Sequence, residues 1–188
     1  MNIWFSSDWH ISHKNITGPK ISNWSSGYRD FDSTKEMDDT ILDTINKYVK
    51  KDDLIYFLGD FCFGDHTKTP FHRSRIVCKN IHALIGNHDE HIDLYKDCFL
   101  SLNDTLHVKH GQTKIFMSHY SHRVWQGHHK GVIHLYGHSH GSIPDYGKSM
   151  DVGIDVAKRL YGEYRPFHLD EIVKIMEKRD VVMVDHHV

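Results

Sequence analysis

The sequence predicts an α/β sandwich with a partly parallel sheet. In the first half, short apolar strands alternate with segments of helical period. The second half is richer in strands and carries a hairpin signal, His110-Gly111-Gln112, between two apolar runs. Acidic and imidazole residues recur just beyond the carboxyl ends of these strands, where sheets of this class gather functional groups.

The first strand is Ile3 to Phe5, and it ends in Ser6-Ser7-Asp8-Trp9-His10. In extended chain, residues two apart point to the same side, so Asp8 and His10 form a carboxylate-imidazole chelating pair. Lys14 to Asp32 reads as a loop, with Gly18, Pro19 and Gly27 among serines and aromatics. Its aromatics and Arg29 are candidates for one wall of a cleft, and Trp24 is expected to pack the loop onto the body. A helix follows, opened by a capping box of Ser33 and Glu36, with Met37, Ile41, Ile45 and Tyr48 on its apolar face. Leu54 to Leu58 is a continuous apolar strand, as expected where both faces are buried, and it ends in Gly59-Asp60. A helix over Pro70 to Cys78 leads to a strand at Ile81 to Ile85 and to Gly86-Asn87-His88-Asp89.

Beyond these, Leu106 to Lys109 and Thr113 to Met117 form the hairpin, whose second strand ends in Ser118-His119. Ile133 to Tyr136 is a strand ending in Gly137-His138-Ser139-His140-Gly141. A further strand is expected over Met150 to Val156, a helix over Asp170 to Arg179 and an edge strand over Val181 to Val184. The reading is of one domain spanning 1–188.

Composition limits the function classes. Of 188 residues, 39% are apolar and 26% charged, with 23 basic and 25 acidic residues and a formal net charge of -2. That balance offers no broad nucleic-acid or membrane surface. No run reaches membrane-spanning length and no leader pattern opens the chain. Three cysteines without C-x-x-C spacing argue against a disulfide framework, so a cytoplasmic setting is expected. The unusual quantity is 19 histidines, the commonest metal-ligand type. The strand ends together supply carboxylate, amide and imidazole donors and no thiolate, a set suited to divalent Mn, Fe, Zn or Ni. A carboxylate can bridge two such ions at ~3.5–4 Å, as in two-metal hydrolases.

The five blocks Asp-x-His, Gly-Asp, Gly-Asn-His-Asp, His and Gly-His-x-His, in this order, resemble the calcineurin-like metallophosphoesterase superfamily. Three stretches are similar to a subgroup of small single-domain bacterial and phage phosphoesterases. They are Ser7 to Ile16, Leu58 to Gly64 and Leu135 to Gly141, and Tyr164-Arg165-Pro166 also fits. The resemblance implies a two-sheet β-sandwich flanked by helices in αββα layers. It implies that Asp8, His10 and His140 bind one divalent ion, that Asn87, His119 and His138 bind another, and that Asp60 bridges them. A hydroxide held by the ions would attack phosphorus in line, with His88 as general acid and Asp89 orienting His88. Phe61-Cys62-Phe63 stands where many relatives carry an acidic residue or arginine, and Cys62 is read as a packing residue.

Arg123, His13 and Arg29 are the expected substrate contacts. The expected substrate is a small phosphoester, mono- or diester, most simply a nucleotide or cyclic nucleotide. A nuclease is the first alternative, weakened by the short chain and missing basic stripe. A non-enzymatic partner-binding scaffold is the second, weakened by the presence of His88 and all seven ligand positions.

Overall fold

A computed structural model describes residues 1–183 of the chain apart from His66 and Asp145. The chain runs β1 (Ile3–Ser6), α1 (Lys14–Thr17), α2 (Thr34–Tyr48), β2 (Leu54–Phe57), α3 (Lys68–Ser74) and β3 (Asn80–Leu84). It continues through β4 (Ser101–Asn103), β5 (Thr105–His110), β6 (Thr113–Ser118), β7 (Ile133–Tyr136) and β8 (Ser149–Asp151). α4 (Ile154–Tyr161), β9 (Phe167–His168) and α5 (Leu169–Met176) close it. Short 3-10 helices cover Ile92–Cys98 and His128–Lys130.

Two sheets form. The five-stranded one has the order β4-β3-β2-β1-β9, parallel except for β9. The four-stranded one has the order β5-β6-β7-β8, with an antiparallel hairpin at β5-β6 and parallel pairs beyond it. Side chains alternate across a strand, so the first sheet serves two cores. Trp4, Ile55, Phe57, Ile81 and Ala83 face α2 and meet its Met37, Ile41 and Ile45. Phe5, Leu54, Tyr56 and Leu84 face the other way, onto Ile115, Met117, Ile133 and Leu135 of the second sheet. Each large apolar side chain so buried stabilises the fold by about 1.5–3 kcal/mol. This sandwich, flanked by helices, leaves the carboxyl ends of β1, β2, β3, β6 and β7 together. Among the described residues, no helix is long and apolar enough to cross a membrane.

Several boundaries differ from expectation. The Lys14 to Asp32 loop contains α1, and the helix expected over Pro70 to Cys78 is α3, two residues earlier at its start. The strand expected over Met150 to Val156 stops at Asp151, and α4 begins at Ile154. Val152, Ile154 and Val156 alternate like a strand, but Asp151 Oδ1 accepts from the Gly153 N–H at 2.7 Å and turns the chain. Ile154 and Ala157, three apart, are then the buried helical pair. Val181 to Met183 form no strand, and Val184 lies outside the described residues. β4 and β9 are too short to leave a periodic signal. At α2, Ser33 Oγ accepts from Glu36 N as expected, but Glu36 returns its carboxylate to Asp32 N, one residue before the cap.

Asp53 fixes the start of the first sheet. Its carboxylate accepts from Asn2 N (2.7 Å), Lys50 N (3.0 Å) and Trp4 Nε1 (3.2 Å). Burial raises its pKa, but these donors outweigh burial and hold it below the usual value. A depressed carboxyl stabilises the fold above its unfolded pKa of about 3.9 and loses that effect as pH falls through the folded value. Asp53→Ala is expected to lower stability by about 2–4 kcal/mol at pH 7 in urea unfolding. The gap to wild type should shrink at pH 3, and an unchanged gap would contradict this role.

Candidate metal centre

The loops leaving β1 and β2 run side by side. Asp8 N donates to Gly59 O, His10 N to Asp60 O and Ile11 N to Phe61 O, at 3.0, 3.0 and 3.1 Å. Within these loops and the one after β7, five of the candidate ligands take left-handed backbone: Asp8 (φ 57), His10 (49), Asp60 (62), His138 (65) and His140 (47). Each such residue costs about 1–2 kcal/mol, less for Asp than for branched residues. The crossing hydrogen bonds hold Asp8, His10 and Asp60 in that backbone, the Asp8 carboxylate accepts from His138 N at 3.0 Å, and all five side chains face one region. Two glycines make the close approach possible. A Cβ on Gly86 would lie 2.1 Å from Asp60 Oδ1, and one on Gly137 would lie 2.6 Å from Asp8 Oδ2.

Two groups of side chains result. Asp8, His10 and His140 form one, and Asp60, His119 and His138 the other, and within each group the candidate ligand atoms lie within 4.8 Å of one another. Either group could hold a metal ion. Asn87 joins the second, its Oδ1 2.8 Å from His138 Nδ1 and 3.0 Å from His119 Nε2. Asp60 Oδ2 lies 3.6 Å from His10 Nε2 and 3.5 Å from His119 Nε2, so it faces both groups. Its Oδ1 accepts from the His88 N–H at 2.9 Å.

The donor set fits cations. His119 Nδ1 contacts the Leu58 carbonyl at 2.7 Å, and a carbonyl can only accept, so the neutral ring carries its lone pair on Nε2. His140 Nδ1 contacts Asp155 Oδ2 at 2.7 Å, which places its lone pair on Nε2 as well. That atom faces His10 Nε2 at 3.2 Å. The Asp8 and Asp60 carboxylates accept from the backbone N–H groups of His138 and His88, and two buried carboxylates facing imidazole nitrogens across a few ångströms are costly unless a positive charge enters. Titration reflects the same demand. Burial pushes Asp8 up to about 7. Burial opposes ionisation of Asp60 too, but hydrogen bonding and charge from His119 and His10 hold it at about 2. Burial lowers His119, yet Asp60 outweighs it and raises the ring to about 9.

The other expected site residues are placed as follows. His88 is exposed, with its ring 5.5 Å from that of His10 and 4.8 Å from Phe63. Asp89 does not face His88. Its buried carboxylate accepts from the N–H groups of Asp60 (2.7 Å), Phe61 (2.8 Å) and Gly86 (2.8 Å), tying the β3 loop to the β2 loop. The expectation that it orients the His88 ring is corrected on that ground. His13 is buried beside the first group, against Phe63 at 3.8 Å and His10 at 5.5 Å between centroids. Arg29 is not in a cleft wall. It is buried, with Nε and Nη2 on the two oxygens of Asp155 and Nη1 and Nη2 on the carbonyls of Trp9 and Asp8. Arg123 is exposed and stacks over Tyr146 at 4.4 Å, which joins it to neither group. Burial pushes the Cys62 thiol up to about 12, which leaves no thiolate near neutral pH.

Asp151 and Asp155 were not expected. Asp151 Oδ2 accepts from Ser139 Oγ and Gly141 N, both at 2.7 Å, and so holds the loop that bears His138 and His140. The available signal was two carboxylates bracketing Gly153 in an apolar run. A cavity of about 920 Å³ lies at the other end of the second sheet, against Lys109, Lys114, Val132 and Lys148, away from both groups.

No family model matches the chain. It is 27% identical over 188 residues to an uncharacterized protein of Methanocaldococcus jannaschii, covering 96% of this chain and 94% of that one. It is 26% identical over 193 residues to the Gene 66 protein of Mycobacterium phage L5, covering 85% and 89%. Among solved structures it is similar to a protein of unknown function from Aquifex aeolicus, with TM-score 0.66 and 20% identity over 93% of this chain and 98% of that one. A structure described as a novel archaeal phosphodiesterase gives TM-score 0.51 and 19% identity, over 90% and 100%. At these identities the likeness to solved structures is one of fold.

Asp155 reaches His140 alone among the grouped side chains, so its removal should act on one group. Where each group takes up an added divalent ion such as manganese, Asp155→Asn is expected to weaken the step at the Asp8–His10–His140 group by roughly 10–100-fold in calorimetry and leave the other within about twofold. Equal weakening of both steps would contradict the separation of the groups.

Proposed function

We propose that the protein is a metal-dependent phosphoesterase of the calcineurin-like superfamily, formed as one domain. The observation that carries the reading is Asp60 Oδ2, placed within 3.6 Å of an imidazole Nε2 from each group, His10 on one side and His119 on the other. A single carboxylate shared by two N/O donor groups is the arrangement a two-metal hydrolase requires. Asp8, His10 and His140 would hold one divalent ion, Asn87, His119 and His138 the other, and Asp60 would contact both. Manganese, nickel, zinc and iron all suit these donors. Such ions supply Lewis acidity at a phosphoryl oxygen and lower the pKa of water.

The chain's own residues do the rest. The backbone of the β1 and β2 loops and the Asp89 carboxylate keep Asp60 in place. His140 is oriented by Asp155, and Asp155 is held by Arg29. His88 stands exposed beside His10, where its ring can give a proton to a leaving ester oxygen. His13 stands next to it, buried in its neutral form, since burial lowers it to about 4. The phosphodiesterase described among the structural neighbours is consistent with this chemistry. The substrate is a small phosphoester of nucleotide type.

Hydrolysis of bis-p-nitrophenyl phosphate and p-nitrophenyl phosphate after EDTA treatment and metal restoration tests the reading. His88→Ala should retain its metal and lose about 10²–10⁴-fold in kcat. Substantial metal loss in that variant would remove His88 from the acid role. Asp60→Asn should weaken both metals together in the same preparations, and two ions still tightly held would show that Asp60 is not shared.

A further inference from the structure

We propose that Trp24 and Tyr120 form a pair of stacking platforms, one at each end of the metal centre, that select a phosphodiester carrying a flat aromatic group on both arms. This rests on the phosphoesterase reading and supplies what that reading leaves open, the choice between monoester and diester.

Trp24 is 44% exposed. Its ring packs edge-on to His13 at 5.4 Å, and His13 packs on His10 at 5.5 Å, so Trp24 stands at the end of the first group. Tyr120 is 50% exposed. Its ring lies 4.6 Å from His138 and 5.2 Å from His119, at the end of the second group. Each ring is half packed on the centre and half open to water, so each offers one free face on which a nucleobase can stack.

Charge points the same way. Among the described residues, no lysine or arginine pairs with Asp8 or Asp60, whose ion-pair partners are histidines. Arg29 is turned inward onto Asp155, and Arg123 lies over Tyr146. A phosphomonoester brings a charge of about -1.5 to -2 and three oxygens that call for cationic side chains. A diester carries one charge and two free oxygens, with two organic arms. The surroundings offer aromatic faces on two sides, and the Arg29 guanidinium beside the first group has its donors committed to Asp155 and backbone carbonyls, which matches the diester.

The test uses the metal-loaded protein and two inert probes. One is a thymidine dinucleotide whose bridging ester oxygen is replaced by methylene, and the other is a thymidine phosphonate with a single arm. Titration is followed by calorimetry and by quenching of tryptophan fluorescence, for which Trp24 is the exposed reporter because Trp4, Trp9 and Trp125 are buried. The two-armed probe should bind at least about tenfold tighter than the one-armed probe. Trp24→Ala and Tyr120→Ala should each weaken it by about 5- to 150-fold, and Trp24→Phe should recover most of the loss. Equal affinity for the two probes, or no effect of either alanine variant, would overturn the pairing. Hydrolysis of bis-p-nitrophenyl phosphate is measured alongside. Activity combined with equal probe affinities would overturn the pairing and leave the phosphoesterase reading. Binding that follows both aromatics, in protein inert with every metal, would support the pairing and remove the phosphoesterase reading.

Discussion

Asp60 is the carboxylate on which the rest depends. It is 2% exposed, takes left-handed backbone and has two imidazole nitrogens near one oxygen. A buried carboxylate in that position is tolerated only because every other feature is fixed around it. Its own N–H donates to Asp89, its Oδ1 accepts from His88 N, and its carbonyl accepts from His10 N. The first sheet brings the β1 and β2 loops side by side, and the second sheet brings His119 and His138 against them. The packing of two sheets thus becomes the convergence of acceptor atoms.

The supporting layer divides by charge. Arg29 and Asp155 form a buried pair, with Nε to Oδ1 at 2.8 Å, and together they fasten the carbonyls of Asp8 and Trp9 and the Nδ1 of His140. Burial would raise the Asp155 carboxyl, but the Arg29 guanidinium and His140 hold it below the usual range. Removing either partner would leave the other charged and buried, which costs more than the pair contributes. On the other side Asp89 does similar work with backbone donors alone. One group is braced by a salt bridge and the other by amide hydrogen bonds.

Much of this was legible in the sequence. The layered α/β character followed from the alternation of elements. The residues beyond five strand ends meet in space because β1, β2 and β3 are parallel and β6 and β7 open toward the same end. What sequence could not reveal is which way consecutive side chains turn. Asn87 and His88 are exposed while Asp89, the next residue, is buried, so adjacency to His88 was a poor guide to its partner. Arg29 and Asp155 are 126 residues apart, and no local pattern announces such a pair. The stretch around Gly153 alternates like a strand, and only the Asp151 side chain converts it into a turn and a helix.

The most direct measurement is anomalous diffraction from crystals of the manganese-soaked protein. Two peaks ~3.5–4 Å apart are expected on either side of Asp60 Oδ2, one near Asp8 and His140 and the other near Asn87 and His119. A single peak, or two peaks with the Asp60 carboxylate turned away from one of them, would contradict the sharing of Asp60.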